Sequence, residues 1–183
     1  MTVLAQSGRD LSNRVIKGEH SYGDVKVPWG GRVTIGKYCS IAGGVIAAIL
    51  SDHRMDWVST YPFAVRWGSK IEGRSGSRQN PDVIVENDVW IGLGTVLLEN
   101  THLRNGSVVG SYSVVHGEVP PYCIAVGNPA KVVRKRFTDE QIEKLLKIAW
   151  WDWPDEKVLE YVPLLCGDDI DLFINTALGE SNG

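Results

Sequence analysis

At 183 residues, 43% hydrophobic and 22% charged, the chain can bury one sizeable core with an appendage, and its composition is that of an ordinary soluble protein. A net charge of −3 gives no reason to expect nucleic acid as a partner, and no apolar run reaches bilayer-spanning length. Cys39, Cys123 and Cys166 are far apart and odd in number, and the first residues carry no apolar signal core, so a reduced, cytoplasmic protein is expected.

Residues 1–22 read as a polar lead-in, with a short helix around residues 10–16. From about residue 23 a different pattern begins. Ile35-Gly36 is followed by Cys39, and Ile41-Ala42 by Val45. The pattern breaks over residues 50–82, a long excursion of the kind that is usually functional or disordered. Trp57, Tyr61, Phe63 and Trp67 argue for order in its first half, whereas residues 73–80 read as mobile. The pattern then resumes. An aliphatic residue returns every six positions at Val85, Ile91, Leu97, Leu103, Val109 and Val115, and a small or aliphatic one follows four later at Val89, Thr95, Thr101, Ser107, Ser113 and Val119.

A period of six fits neither an α-helix nor a two-sided strand. It fits a coil in which each hexapeptide is a short strand plus a corner, and three hexapeptides close one triangular turn. The aliphatic residue points inward, the position four later sits in the narrow corner, and Gly supplies backbone freedom. Stacked turns form parallel sheets and need capped ends. The predicted fold class is therefore an all-β solenoid, a parallel β-helix over residues 23–132 with an inserted loop at 50–82. Residues 133–183 read as a helical cap. Thr138 with Gln141 makes a capping box, and Ile142, Leu145, Leu146 and Ala149 give one apolar face. A second helix is expected near Pro154, carrying Val158, Leu159 and Val162. Together these helices would bury the Trp150–Trp153 cluster.

Four phrases carry a resemblance: SDHRMDWVSTYPF, NDVWIGLGTVL, VPPYCIAVGNPAKVVRKRF and FTDEQIEKLLKIAWWDWPDEKV. They resemble the xenobiotic acetyltransferase branch of the hexapeptide-repeat acyltransferases, over roughly residues 31–173. The resemblance implies a left-handed coil, a homotrimer with sites between subunits, and acetyl-CoA as co-substrate. It implies acceptors that are antibiotics, such as chloramphenicol and streptogramins, or sugars. The segment before the first coils and the loop after Tyr61-Pro62-Phe63 are shorter than in the antibiotic-modifying members. A sugar, sugar nucleotide or glycan is therefore the expected acceptor, for O- or N-acetylation, with the antibiotics as the alternative.

Acetyl transfer needs a base for the acceptor, donors for the developing oxyanion and a groove for CoA. His53 is the expected catalytic base, because a free imidazole titrates at about 6.5 and can accept a proton at cell pH. Asp52 or Asp56 is a candidate to orient it, and a backbone carbonyl would do as well. Tyr22, Trp57 and Tyr61 would stack on an acceptor ring or anchor the loop. CoA would lie along the coils, where Gly92, Gly110 and Ser111 leave backbone groups open, one of them serving as oxyanion donor. Lys131, Arg134, Lys135 and Arg136 form a basic cluster suited to its phosphates. His20, His102 and His116 read as surface residues. A zinc enzyme of the carbonic-anhydrase type would need three histidine ligands, and the close pair such sites use is missing, so no metal is expected. A non-catalytic scaffold is the third reading, and it would require nothing of His53.

Overall fold

Six-residue periodicity becomes structure one short strand at a time. The computed structural model describes residues 14–49, 53–66 and 82–179. The strands are β1 (Val15–Lys17), β2 (Val25–Lys26), β3 (Arg32–Ile35), β4 (Ser40–Ile41), β5 (Val45–Ala48), β6 (Asp82–Val85), β7 (Trp90–Ile91), β8 (Val96–Leu98), β9 (His102–Leu103), β10 (Val108–Val109), β11 (Val114–Val115), β12 (Glu118–Val119), β13 (Cys123–Gly127) and β14 (Ala130–Lys135). They form three sheets, ordered β1-β3-β6-β9-β12, β14-β13-β10-β7-β4 and β11-β8-β5-β2. Every pairing is parallel except the closing β13/β14 hairpin. These are the three faces of a parallel β-helix.

The twelve hexapeptide positions from Val85 to Val119 are all buried, none more than 3% exposed. The polar ones stay buried because most of their hydroxyls bond to the coil itself. Thr95 Oγ1 donates to the Gly92 carbonyl at 2.8 Å, and Thr101 Oγ1 to the Val115 carbonyl at 2.9 Å. Such local bonds remove most of the cost of burying a hydroxyl.

The solenoid starts earlier than its sequence pattern. Residues 15–17 form a strand that pairs with β3, Val15 opposite Val33, so the helix expected at residues 10–16 does not extend over them. The β-branched pair Val15-Ile16 sits one coil before Val33 and extends the first sheet. The boundary at residue 23 therefore moves back to about residue 15. At the other end, β14 runs to Lys135, past the expected boundary at 132, because its residues pair antiparallel with β13.

The helical cap comprises α2 (Asp139–Ile148), a 3₁₀ turn (Trp150–Asp152), α3 (Asp155–Leu165) and α4 (Ile170–Leu178), while α1 (Phe63–Arg66) lies in the inserted loop. Thr138 caps α2 through the expected box with Gln141. Ile142, Leu145, Trp151, Phe173 and Ile174 pack with Tyr122 in a core separate from that of the coils. Leu159 points outward, 71% exposed, because α3 lies over the cap rather than inside it. The sequence pattern missed α4, which begins at the Asp169 cap and buries Phe173 and Ile174.

Candidate active site

The excursion expected to carry the chemistry leaves the coils after β5, and residues 53–66 of it are described. His53 is exposed, and its Nδ1 lies 2.7 Å from the Thr60 carbonyl oxygen. A carbonyl only accepts, so Nδ1 carries the proton and donates it. Nε2 is therefore left with a lone pair, as a proton acceptor requires.

Among the described residues, the hydrogen-bond partner of the His53 ring is thus a main-chain carbonyl seven residues along. Asp56 does not serve, because Arg54 Nε donates to its Oδ1 at 2.6 Å and the second guanidinium nitrogen bonds to Oδ2. That bonding holds the Asp56 carboxyl below its usual range. Arg54 also lies over the Trp57 ring, 5.3 Å from its centroid. Tyr61 meets Phe63 edge to face at 4.8 Å. Trp57 and Tyr61 are 37% and 45% exposed, so each keeps a surface to offer an acceptor. Asp52 and residues 73–80 lie outside the described residues.

Tyr22 stands apart, on the first coil, bridged to Ser40, which pairs with Trp90. Among the described residues no hydrogen bond or ring contact joins it to the His53 segment. The acceptor residues expected from sequence thus fall on two separate parts of one chain.

The glycines at the coil corners have a packing reason of their own. A Cβ on Gly92 would stand 2.5 Å from the Ser111 backbone nitrogen, and one on Gly110 would stand 2.7 Å from a Val126 methyl. Stacking of successive coils alone therefore demands both glycines. The basic cluster is also divided. Arg136 turns inward, donating to the Gly106 carbonyl at 2.7 Å and lying 3.6 Å from Asp88. Lys135 pairs with Asp139. Lys131 and Arg134 remain on the exposed strand β14.

Two of the other three histidines have partners of their own. His20 Nε2 is 3.0 Å from Asp155, and His102 Nε2 is 2.9 Å from Glu86. Among the described residues no group of three His, Cys, Asp or Glu is placed to hold a metal ion.

Sequence reasoning allowed a backbone carbonyl beside His53 without naming Thr60, and it missed Asp88. The Thr60 carbonyl is main chain and leaves no side-chain signal. Asp88, inside NDVWIG, sits at a corner with left-handed backbone (φ 54°), and burial pushes its carboxyl up to about 6 against the pull of Arg136.

Comparison with known proteins bears on the family and the fold. The chain is 40% identical over 143 residues to a chloramphenicol acetyltransferase of Escherichia coli, covering 76% of this chain and 68% of that protein. It is 31% identical over 178 residues to the virginiamycin A acetyltransferase of Staphylococcus aureus, covering 88% and 81%. A hexapeptide-repeat acetyltransferase of Vibrio cholerae superposes with a TM-score of 0.54 at 25% identity, over 68% of this chain and 64% of that one. No protein-family model matches. The fold is the left-handed parallel β-helix of the acetyl-CoA-dependent hexapeptide-repeat acetyltransferases. Within that class the chain belongs to the xenobiotic acetyltransferase family.

Proposed function

We propose that the protein transfers the acetyl group of acetyl-CoA directly to a hydroxyl of a small antibiotic, of the chloramphenicol or streptogramin type, with His53 as general base. The observation that carries this reading is the 2.7 Å contact of His53 Nδ1 with the Thr60 carbonyl, which leaves Nε2 free to accept. Nε2 takes the acceptor hydroxyl proton as its oxygen attacks the thioester carbonyl. The tetrahedral oxyanion collapses, the carbon–sulfur bond breaks, and the CoA thiolate receives the proton from the imidazolium. A positioned base of this kind contributes about 10² to 10⁴ in rate.

Loop lengths alone favour a sugar acceptor. The relatives named for chloramphenicol and virginiamycin A favour an antibiotic and outweigh them. Trp57 and Tyr61, both partly exposed beside His53, suit an apolar or aromatic acceptor. Lys131 and Arg134 are the cations left for the CoA phosphates, since Lys135 and Arg136 are engaged within the chain.

The assembly belongs to the same proposal. Ile16 and Ile84 share the outer face of the first sheet at 51% and 41% exposure, and Trp90 stands out from the second at 56%. Such apolar outer faces suit a homotrimer, with Tyr22 of one subunit meeting His53 of another. Light scattering should give a trimer, and an active monomer would overturn this part.

The acceptor is tested by thiol release from acetyl-CoA, comparing kcat/KM for chloramphenicol and virginiamycin A with a panel of sugars and sugar nucleotides. A value of about 10⁴ M⁻¹s⁻¹ or more for a drug is expected. Turnover of sugars alone would reverse the assignment.

A further inference from the structure

Between the solenoid and its helical cap lies a cavity of about 480 Å³, within the range of small-molecule sites. Tyr38, Phe137, Leu145, Trp150 and Val162 are among its walls, and neither His53, Trp57 nor Tyr61 lines it. Three charged groups line it, Asp88 and Arg136 on its floor and Asp168 from the turn between α3 and α4.

The coil corners create this floor. Tyr38, Asp88, Gly106 and Tyr122 occupy one corner in successive turns, all with left-handed backbone (φ 58°, 54°, 66° and 51°). Gly106 has no side chain, and the Tyr122 ring lies across it, since a Cβ there would stand 2.4 Å from that ring. Asp88 is left recessed between aromatic neighbours, yet 30% of its side chain remains reachable. Its nearest cationic partner among the described residues is Arg136, at a loose 3.6 Å. Arg136 is also 30% exposed, and its other bond goes to the Gly106 carbonyl. A carboxylate with spare acceptor capacity and a guanidinium with spare donors therefore face an apolar chamber.

We propose that this chamber binds a small apolar molecule ending in a hydroxyl, whose O–H donates to Asp88 and whose oxygen accepts from Arg136. A hydroxyl fits because it satisfies both members of the gapped pair. A second cation would meet Arg136, and a second anion would meet Asp88. The apolar body supplies the contact area, and the ring faces of Tyr38 and Trp150 favour an aromatic one.

The test uses the full chain and 2-naphthol, with naphthalene as the match that lacks the hydroxyl, followed by calorimetry and by tryptophan fluorescence. Saturable binding with a Kd on the order of 100 μM is expected for so small a ligand. Naphthalene should bind about tenfold more weakly. Asp88→Asn tolerates the left-handed backbone, because Asn adopts it readily, and should weaken naphthol about fivefold while naphthalene is unaffected. Val162→Trp, which fills the chamber from a position already 40% exposed, should abolish binding. His53→Ala should leave binding unchanged. The proposal fails if naphthol shows no saturable binding, if naphthalene binds equally well, if Val162→Trp binds as tightly as the parent, or if His53→Ala removes binding and so places the ligand at the reaction site.

Discussion

The stacked coils and the segment carrying His53 are held by opposite means. Inward residues of the coils, from Val33 to Val119, are essentially removed from solvent and bonded coil to coil. The residues of 53–66 whose side chains are described are almost all exposed, and their ties include short-range ones: His53 to Thr60, Arg54 to Asp56, Tyr61 to Ser59. The coils provide rigidity and the loop provides reach. Chemistry placed on a lightly held loop over a dense scaffold can change its acceptor without disturbing the fold. Damage to the coils should therefore register as lost stability, and damage to the loop as lost turnover.

The largest stability effect is expected at Leu97, fully buried at the middle of the solenoid. Leu97→Ala should cost about 2 to 5 kcal/mol, measured by denaturant unfolding, with activity per folded molecule retained. A smaller loss, about 1 to 3 kcal/mol, is expected for Gly106→Ala, which combines a strained φ of 66° with a collision against the Tyr122 ring. If Gly106→Ala were neutral, the corner column would be softer than its packing implies.

Asp88 gives a subtler, pH-dependent effect. Its carboxyl is raised from 3.8 to about 6, so between these values the folded chain holds the proton more tightly than the unfolded one. Stability contributed by this group is therefore greatest below about pH 4 and declines as pH rises through 6. Because 30% of the side chain is reachable by solvent, the change should be about 1 to 2 kcal/mol rather than the full value of the shift. Asp88→Asn should flatten this slope in thermal melts at pH 4 to 7, and an unchanged slope would point to another group. Smallest of all is Arg54→Ala. Its pair with Asp56 is solvent-exposed, and the melting temperature should move by no more than about 1 °C.

The same contrast decides what the sequence could disclose. The coils were legible because each inward position repeats the same demand, so Val85, Ile91 and Leu97 announce the fold by spacing alone. Val15–Lys17 escaped because one strand has no repeat to be in phase with. In the loop, the phrase around His53 is what marks it as the expected base, but the hydrogen-bond partner of its ring could not be read there. The Thr60 carbonyl carries no side-chain code, and Asp56, one of the two carboxylate candidates, is held by Arg54. The basic run after Ala130 reads as one phosphate patch. Strand pairing and the Asp88 and Asp139 partners send Arg136 and Lys135 elsewhere.

The most direct test of this division is His53→Ala, assayed for acetyl transfer to chloramphenicol and virginiamycin A and melted in parallel. The expected result is a fall of at least about 10² in kcat/KM with the melting temperature and assembly state unchanged, because only the proton acceptor has been removed. Near-parental turnover, or a loss of activity matched by a loss of stability, would contradict the assignment of the chemistry to the loop and of the rigidity to the coils.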